Sequence, residues 1–237
     1  MTLAGVLFIV AAWLTWMAWT DPRIVPLGGG DFTIYRDAAA RWLDGGPFYL
    51  PDQLSGPYTA VVGHVMYPPI GLVLFVPFVF APNVLWWAIP LGVIGWSVWR
   101  MRPNPWGWIG IAACLAFPQT VQLIHAGNPV LWIAAAFSLS FRWPWVGALV
   151  LLKPSLFPFA FGGVRTRQWW VGIGALAAVS LAFLPMWFDW IAVMLNARGQ
   201  FSGPLYSLQD VPLMLIPLVA WRARTGAAPS GGSSRRP

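Results

Sequence analysis

The chain has 237 residues, of which 58% are hydrophobic, 16% aromatic and only 9% charged, with 18 Trp and a formal net charge of +7. Soluble domains carry roughly a quarter charged residues, so this composition excludes an ordinary soluble domain, a disordered chain and a disulfide scaffold, and describes an integral membrane protein. The basic residues are scattered between apolar segments, as membrane proteins place them, so nucleic acid is not an expected partner; the single Cys114 excludes an intrachain disulfide.

Taken in chain order, residues 2–20 form an uncharged run of about the ~20 residues that a helix needs to cross the hydrocarbon. No Lys or Arg precedes it and no A-x-A-like cleavage site follows, so it reads as a retained anchor rather than a signal peptide. A polar stretch, 21–66, separates it from a nearly continuous apolar series with helices expected near 67–80, 84–99, 106–117, 130–140, 143–161, 169–187 and 211–221. The fold class expected is therefore an all-α polytopic membrane protein of about eight transmembrane or re-entrant segments. It forms one transmembrane domain over residues 1–224, and a Gly/Ser/Pro-rich basic tail, 225–237, is expected to be disordered.

Segments 67–80, 130–140 and 211–221 are short for a ~30 Å core and read as broken or re-entrant helices, which need other helices or a water-filled cavity around them. With the N-terminus inside and eight crossings, Arg165, Arg167, Arg222, Arg224, Arg235 and Arg236 fall inside while Arg100, Arg102 and Arg142 fall outside. A single re-entrant segment inverts everything after it. The location expected is the plasma membrane, with the Asp-rich loop on the external face.

The chain has no Glu, and five of its seven Asp (Asp21, Asp31, Asp37, Asp44, Asp52) lie between the first two apolar segments, where any carboxylate chemistry is expected. The string DFTIYRDAAARWLDGG reads as a helix opened by Asp31 and stopped at Gly45-Gly46, with Phe32, Tyr35, Ala39 and Trp42 on one face and Arg36, Asp37, Arg41 and Asp44 opposite. Such a helix lies at the membrane surface. Asp31, after three glycines, also has a plain role as an N-cap, and Asp37, Asp44 and Asp52 as solvated partners of Arg36 and Arg41. The Pro- and Gly-rich continuation supplies Tyr49, Tyr58, His64 and Tyr67.

Lys153 is the only Lys in the chain and stands in the apolar string LVLLKPSLFPF. An ionisable residue at membrane depth costs at least ~2.5–3.5 kcal/mol and normally faces a partner or cavity; the alternative is a snorkelling Lys near a helix end.

The string G-G-D-F-x-x-Y-x-x-A-A-x-x-W-L-x-G-G-P-x-Y followed by Y-P-P is similar to the first external loop of polyprenol-phosphate-dependent GT-C glycosyltransferases of the GT87 type. H-A-G-N-P-V-L-W resembles a degenerate form of that family's G-Q-x-N stretch, and G-A-L-V-L-L-K-P resembles its A-G-x-L-L-x-x-x-K-P helix; order and approximate spacing agree from about Gly30 to about Arg167. Two departures stand out. Gln is missing from the second motif, and the chain is shorter than usual members.

The resemblance implies a GT-C-like bundle that moves a mannose- or pentose-type sugar from a polyprenyl phosphate to an external hydroxyl of a glycan or lipid acceptor, with inversion. Carried over by position, Asp31 is the general base, a role typically contributing ~10²–10⁴-fold. The departing lipid phosphate needs cationic donors aimed at it. Lys153 is one candidate, and Arg36 a second through its planar fork, or else a surface charge. Tyr35, Tyr49 and Tyr67 are candidate sugar contacts or interfacial anchors; His64 and His125 are candidate donors or relays; Asn128 is a candidate contact or a helix N-cap before Pro129. No metal or nucleotide-binding motif is visible, and a divalent cation held by Asp31 and the donor phosphate is left open. The alternatives are a catalytically inactive relative acting as scaffold or subunit, and a small-solute transporter with Lys153 at its midplane site.

Overall fold

An apolar chain with so few polar side chains must satisfy its backbone N–H and C=O groups internally, and helix does this within one segment. In the computed structural model, which describes residues 2–20, 29–198 and 208–225, helix accordingly dominates. The helices are α1 (Thr2–Thr20), α2 (Gly30–Leu43), α3 (Pro51–Leu54), α4 (Leu72–Phe75), α5 (Pro77–Phe80), α6 (Leu85–Met101), α7 (Pro105–Ala116), α8 (Pro118–Ala126), α9 (Val130–Ser140), α10 (Phe157–Ala160), α11 (Arg167–Leu181), α12 (Leu184–Asn196) and α13 (Val211–Arg222). Two short strands, β1 (Tyr58–Thr59) and β2 (Ala197–Arg198), pair in parallel with Tyr58 opposite Ala197. Asp21, Arg235, Arg236 and the tail from Gly226 lie outside the described residues.

Proline sets most of the breaks. Pro105 and Pro118 each stand at the start of a helix, where the missing N–H costs nothing, and Pro118 divides the expected 106–117 segment from an additional helix, α8. The expected helix over 67–80 is broken into a 3-10 turn, Pro69–Gly71, and the single-turn α4 and α5. The expected helix over 143–161 is a 3-10 helix, Pro144–Leu152, that stops at Lys153. Among the described residues no single helix is long and apolar enough to cross a membrane. By length and composition three bent pairs are: Pro69–Phe80 with Leu85–Met101 (117°), Pro105–Ala116 with Pro118–Ala126 (62°) and Arg167–Leu181 with Leu184–Asn196 (93°).

The runs connect two ends of a bundle. α9 rises ~17 Å over its length and α13 ~18 Å, at 1.5 Å per residue; the 3-10 helix Pro144–Leu152 rises ~18 Å at 2.0 Å per residue. One end of these rods is marked by Arg100, Arg142 and Arg224, which line a common cavity with Trp221. The Arg102 carbonyl accepts the Thr225 N–H and hydroxyl there, and Arg222 follows Trp221. The start of α11 packs beside Pro144: a Cβ on Gly163 would meet the Pro144 side chain at 3.0 Å, so Arg165 and Arg167 lie at this end too. The expectation that Arg100, Arg102 and Arg142 face away from Arg165, Arg167, Arg222 and Arg224 is thereby corrected. The reason is that 67–80 does not run from end to end: it starts at Tyr67 and leads to Trp87, both at the opposite end, where Trp87 donates to Ile124 O.

Lys153 sits at the turn of a hairpin. The chain climbs from Pro144 to Leu152, then returns through Pro154–Leu156, α10 and Phe161–Gly163, so that Trp169 donates to Ala160 O at 2.6 Å beside where the hairpin began. A broken run of 3-10 and short α turns of this kind is tolerated in apolar surroundings because it is packed within protein; Val146, Ala148 and Val150 are buried.

Over the opposite end lies the Asp-rich segment. α2 buries Phe32, Ala38 and Ala39 against α4, α5 and α8, leaving Asp37 and Asp44 exposed, so the face read from the sequence packs on protein. Gln53, fully buried, holds the following loop: its amide nitrogen donates to Val65 O (3.0 Å) and Tyr58 Oη (3.3 Å), and its oxygen accepts from Leu50 N (3.2 Å). α12 lies across this loop, with Trp190 donating to Met66 O and Asn196 to Gln53 O.

Candidate functional site

The site is assembled where the start of α2 meets the turn between α8 and α9. α8 ends on Gly127 in the left-handed region (φ 68°), and Asn128 N–H reaches back to Leu123 O at 2.9 Å, closing the helix end. Gly127 must be glycine for a second reason: a Cβ there would stand 2.7 Å from the Trp87 ring and 2.9 Å from Phe32 Cβ. Gly29, also left-handed, donates its N–H to His125 O at 2.9 Å and starts α2 beside that turn. Phe32 is packed between Trp86 and Trp87, whose indole N–H groups bond Gly127 O and Ile124 O at 2.7 Å. Asp31 is thus carried next to Asn128.

Asn128 has its amide orientation fixed. Its Oδ1 accepts Val130 N–H at 3.0 Å, so its Nδ2 faces the Asp31 carboxylate and donates to Oδ2 at 2.6 Å. The N-cap position of α9 is Pro129 rather than Asn128; Asn128, one residue earlier, combines a bond from Val130 N–H with a direct contact with Asp31. Asp31 itself is not the cap, since Gly29 holds that position and no side chain caps α2. Among the described residues Asn128 is the one hydrogen-bond donor to the Asp31 carboxylate.

Burial pushes the Asp31 carboxyl above the usual carboxylate range; the Asn128 hydrogen bond and then the charge of Lys153 pull it back, and the charge of Asp210 pushes it up again. Lys153 and Asp210 approach this site through Tyr67. Lys153 Nζ donates to Asp210 Oδ2 at 2.7 Å, with the two side chains 6% and 0% exposed. The ammonium also lies 5.8 Å from the centre of the Tyr67 ring. Tyr67 meets Tyr35 edge-on at 5.1 Å, and Tyr35 stacks on Phe75 at 4.8 Å.

The structure therefore brings together Asp31, Asn128, Lys153, Tyr67 and, beside them, Tyr35. Other sequence candidates are engaged elsewhere. Arg36 forks onto Asp37 (2.9 and 3.1 Å) and lies 5.5 Å over Phe32. Tyr49 is buried and donates to Tyr67 O at 2.8 Å, which braces the wall rather than facing it. His64 accepts Val61 N–H at Nδ1 and so carries its proton on Nε2, 2.8 Å from Asp52; that carboxylate, expected to pair with Arg36 or Arg41, belongs to His64. His125 is buried and contributes its carbonyl to Gly29. Arg41 donates to Pro47 O and Phe48 O. Among the described residues no three His, Cys, Asp or Glu side chains converge as a metal site.

No family model, curated protein or solved structure matches this chain.

One residue of the cluster, Asp210, escaped the sequence reading. It ends a 3-10 turn, directly precedes α13 and is fully buried. Its signal was available: a lone Lys in an apolar interior demands a carboxylate, and Asp210 is the Asp that opens an apolar helix. Chemically, the arrangement offers a base strengthened by burial, steadied on one oxygen, near a cation held in place by its own counter-charge.

Proposed function

We propose that this chain is an integral membrane glycosyltransferase that moves a sugar from a polyprenyl phosphate to an acceptor hydroxyl. The observation that carries this reading is the half-buried Asp31 carboxylate, bonded by Asn128 at 2.6 Å, on the helix whose Tyr35 meets the Tyr67 ring that the Lys153 ammonium overlies. Asp31 takes the proton from the acceptor hydroxyl as its oxygen bonds the anomeric carbon. The bond from that carbon to the phosphate oxygen breaks on the opposite face, and the configuration inverts. The charge that develops on the lipid phosphate is met by the Lys153 ammonium, which Asp210 keeps from swinging away.

The orientation follows from the arginines. Seven described arginines and no described Asp lie at one end, which the positive-inside rule assigns to the cytoplasmic face, so Asp31 faces the external side. An external, lipid-borne donor needs no nucleotide-binding loop.

A second reading is favoured by the closure of Lys153 on Asp210. If that pair serves only to neutralise the hairpin, the chain is a catalytically inactive scaffold. The deciding assay supplies polyprenyl-phosphate mannose and pentose donors to membranes bearing the wild type, Asp31→Asn or Lys153→Ala. Transfer that depends on Asp31 supports the enzyme; absence of transfer with every donor supports the scaffold.

A further inference from the structure

The end of the bundle remote from Asp31 holds a cavity of about 470 Å³, walled by the last turns of α6, α9 and α13. Its lining has two parts. Arg100, Arg142 and Arg224 line it, and among the described residues no Asp does. Each of two of these arginines is braced on an aromatic face, Arg142 over Trp143 at 5.2 Å and Arg224 over Trp221 at 5.2 Å. The other part is apolar, with Trp96 and Phe141 on its walls, and Phe141 stacked on Trp221.

Three like charges around one hollow repel each other, and none of the three forms an ion pair among the described residues. This calls for an anion with several acceptor oxygens, and the guanidinium fork matches phosphate.

We propose that this cavity binds the phosphate ester of an anionic lipid headgroup from the leaflet at the arginine end. The phosphate sits among Arg100, Arg142 and Arg224, while the acyl chains lie along the apolar wall. Trp96 and Trp99, both exposed beside the cavity, are placed as interfacial residues are. Basic hollows between membrane helices on the cytoplasmic side are where such headgroups are held. The site is independent of the chemistry at Asp31: it stands or falls whatever the transfer assay gives.

The test uses the full chain purified in a neutral detergent. Retention of phosphatidylglycerol, phosphatidylcholine and glycerol phosphate is measured by native mass spectrometry, with thermal unfolding followed by Trp fluorescence. Phosphatidylglycerol is expected to be retained over phosphatidylcholine, and Arg100→Gln with Arg142→Gln to weaken it about tenfold or more. Arg167→Gln, outside the cavity, is expected to leave it unchanged. Glycerol phosphate binding as tightly as the lipid assigns the same phosphate site to a soluble ester. Equal retention of phosphatidylglycerol and phosphatidylcholine, or full retention by the folded double variant, overturns the proposal.

Discussion

Asn128 donates its side-chain amide to Asp31 at 2.6 Å across 97 residues of sequence, and the oxygen of the same side chain accepts Val130 N–H at the start of α9. Two motifs that are separate strings in the chain are one hydrogen-bonded unit in space. Asn128→Ala removes both bonds, and the expected loss of stability is about 1–2 kcal/mol. It also removes the largest influence holding the Asp31 carboxyl down, so the acid limb of the pH–rate profile moves to higher pH. Rates measured from pH 4 to 8 check the direction.

Asp31 itself makes a prediction of opposite sign for stability and activity. Its folded pKa is raised, so the folded state binds its proton more tightly than the unfolded chain does. The stability this contributes is fully present below the unfolded pKa of about 3.9 and is lost as pH rises through the folded value. Asp31→Asn, which keeps an acceptor for Asn128, should therefore unfold at a higher temperature than the wild type at pH 7, the gap closing near pH 4. Activity should fall at least ~10²-fold. Thermal unfolding at the two pH values reads the first effect.

The Lys153–Asp210 pair is buried on both sides, so removing one partner strands a charge. Lys153→Met or Asp210→Leu alone is expected to cost about 3–5 kcal/mol, whereas the double variant recovers most of it. A double-mutant cycle in detergent measures the coupling. A scaffold tolerates the double variant fully; the enzyme loses transfer in it.

Gly127 has no room for a methyl group. Gly127→Ala puts Cβ against the Trp87 ring and Phe32 in a backbone conformation that favours glycine, with an expected cost above about 1 kcal/mol. Because the same turn positions Asn128, transfer should drop more than stability alone explains, which rates at saturating donor would show.

The two ends of the bundle should face opposite sides of the membrane. In a Cys114→Ser background, Asp44→Cys should react with an impermeant maleimide added outside, and Arg167→Cys only after permeabilisation. Asp44 and Arg167 are both exposed in the structure.

Much of the architecture was legible because apolar length and helix punctuation are local signals. α1 and α9 have the bounds read for them, and Gly45-Gly46 stops α2 as expected. The hairpin at Lys153 was legible only as a break at Pro154; that the chain turns back there, packed against α9 and α11, rests on tertiary contact. The site was legible in part. Asp31, Asn128 and Lys153 stood out as polar residues in improbable company, but Asp210 belongs to the cluster through tertiary contact alone. Arg36 and His64 drew attention by chemical type, and nearer carboxylates, Asp37 and Asp52, claim them.

The central claim is that Asp31 draws the proton from an acceptor hydroxyl while lipid phosphate departs. The most direct measurement is sugar transfer from a polyprenyl-phosphate donor by purified wild type and Asp31→Asn, each shown folded by its thermal transition. The account predicts transfer by the wild type and a loss of at least ~10²-fold in the variant; equal transfer by both proteins would contradict it.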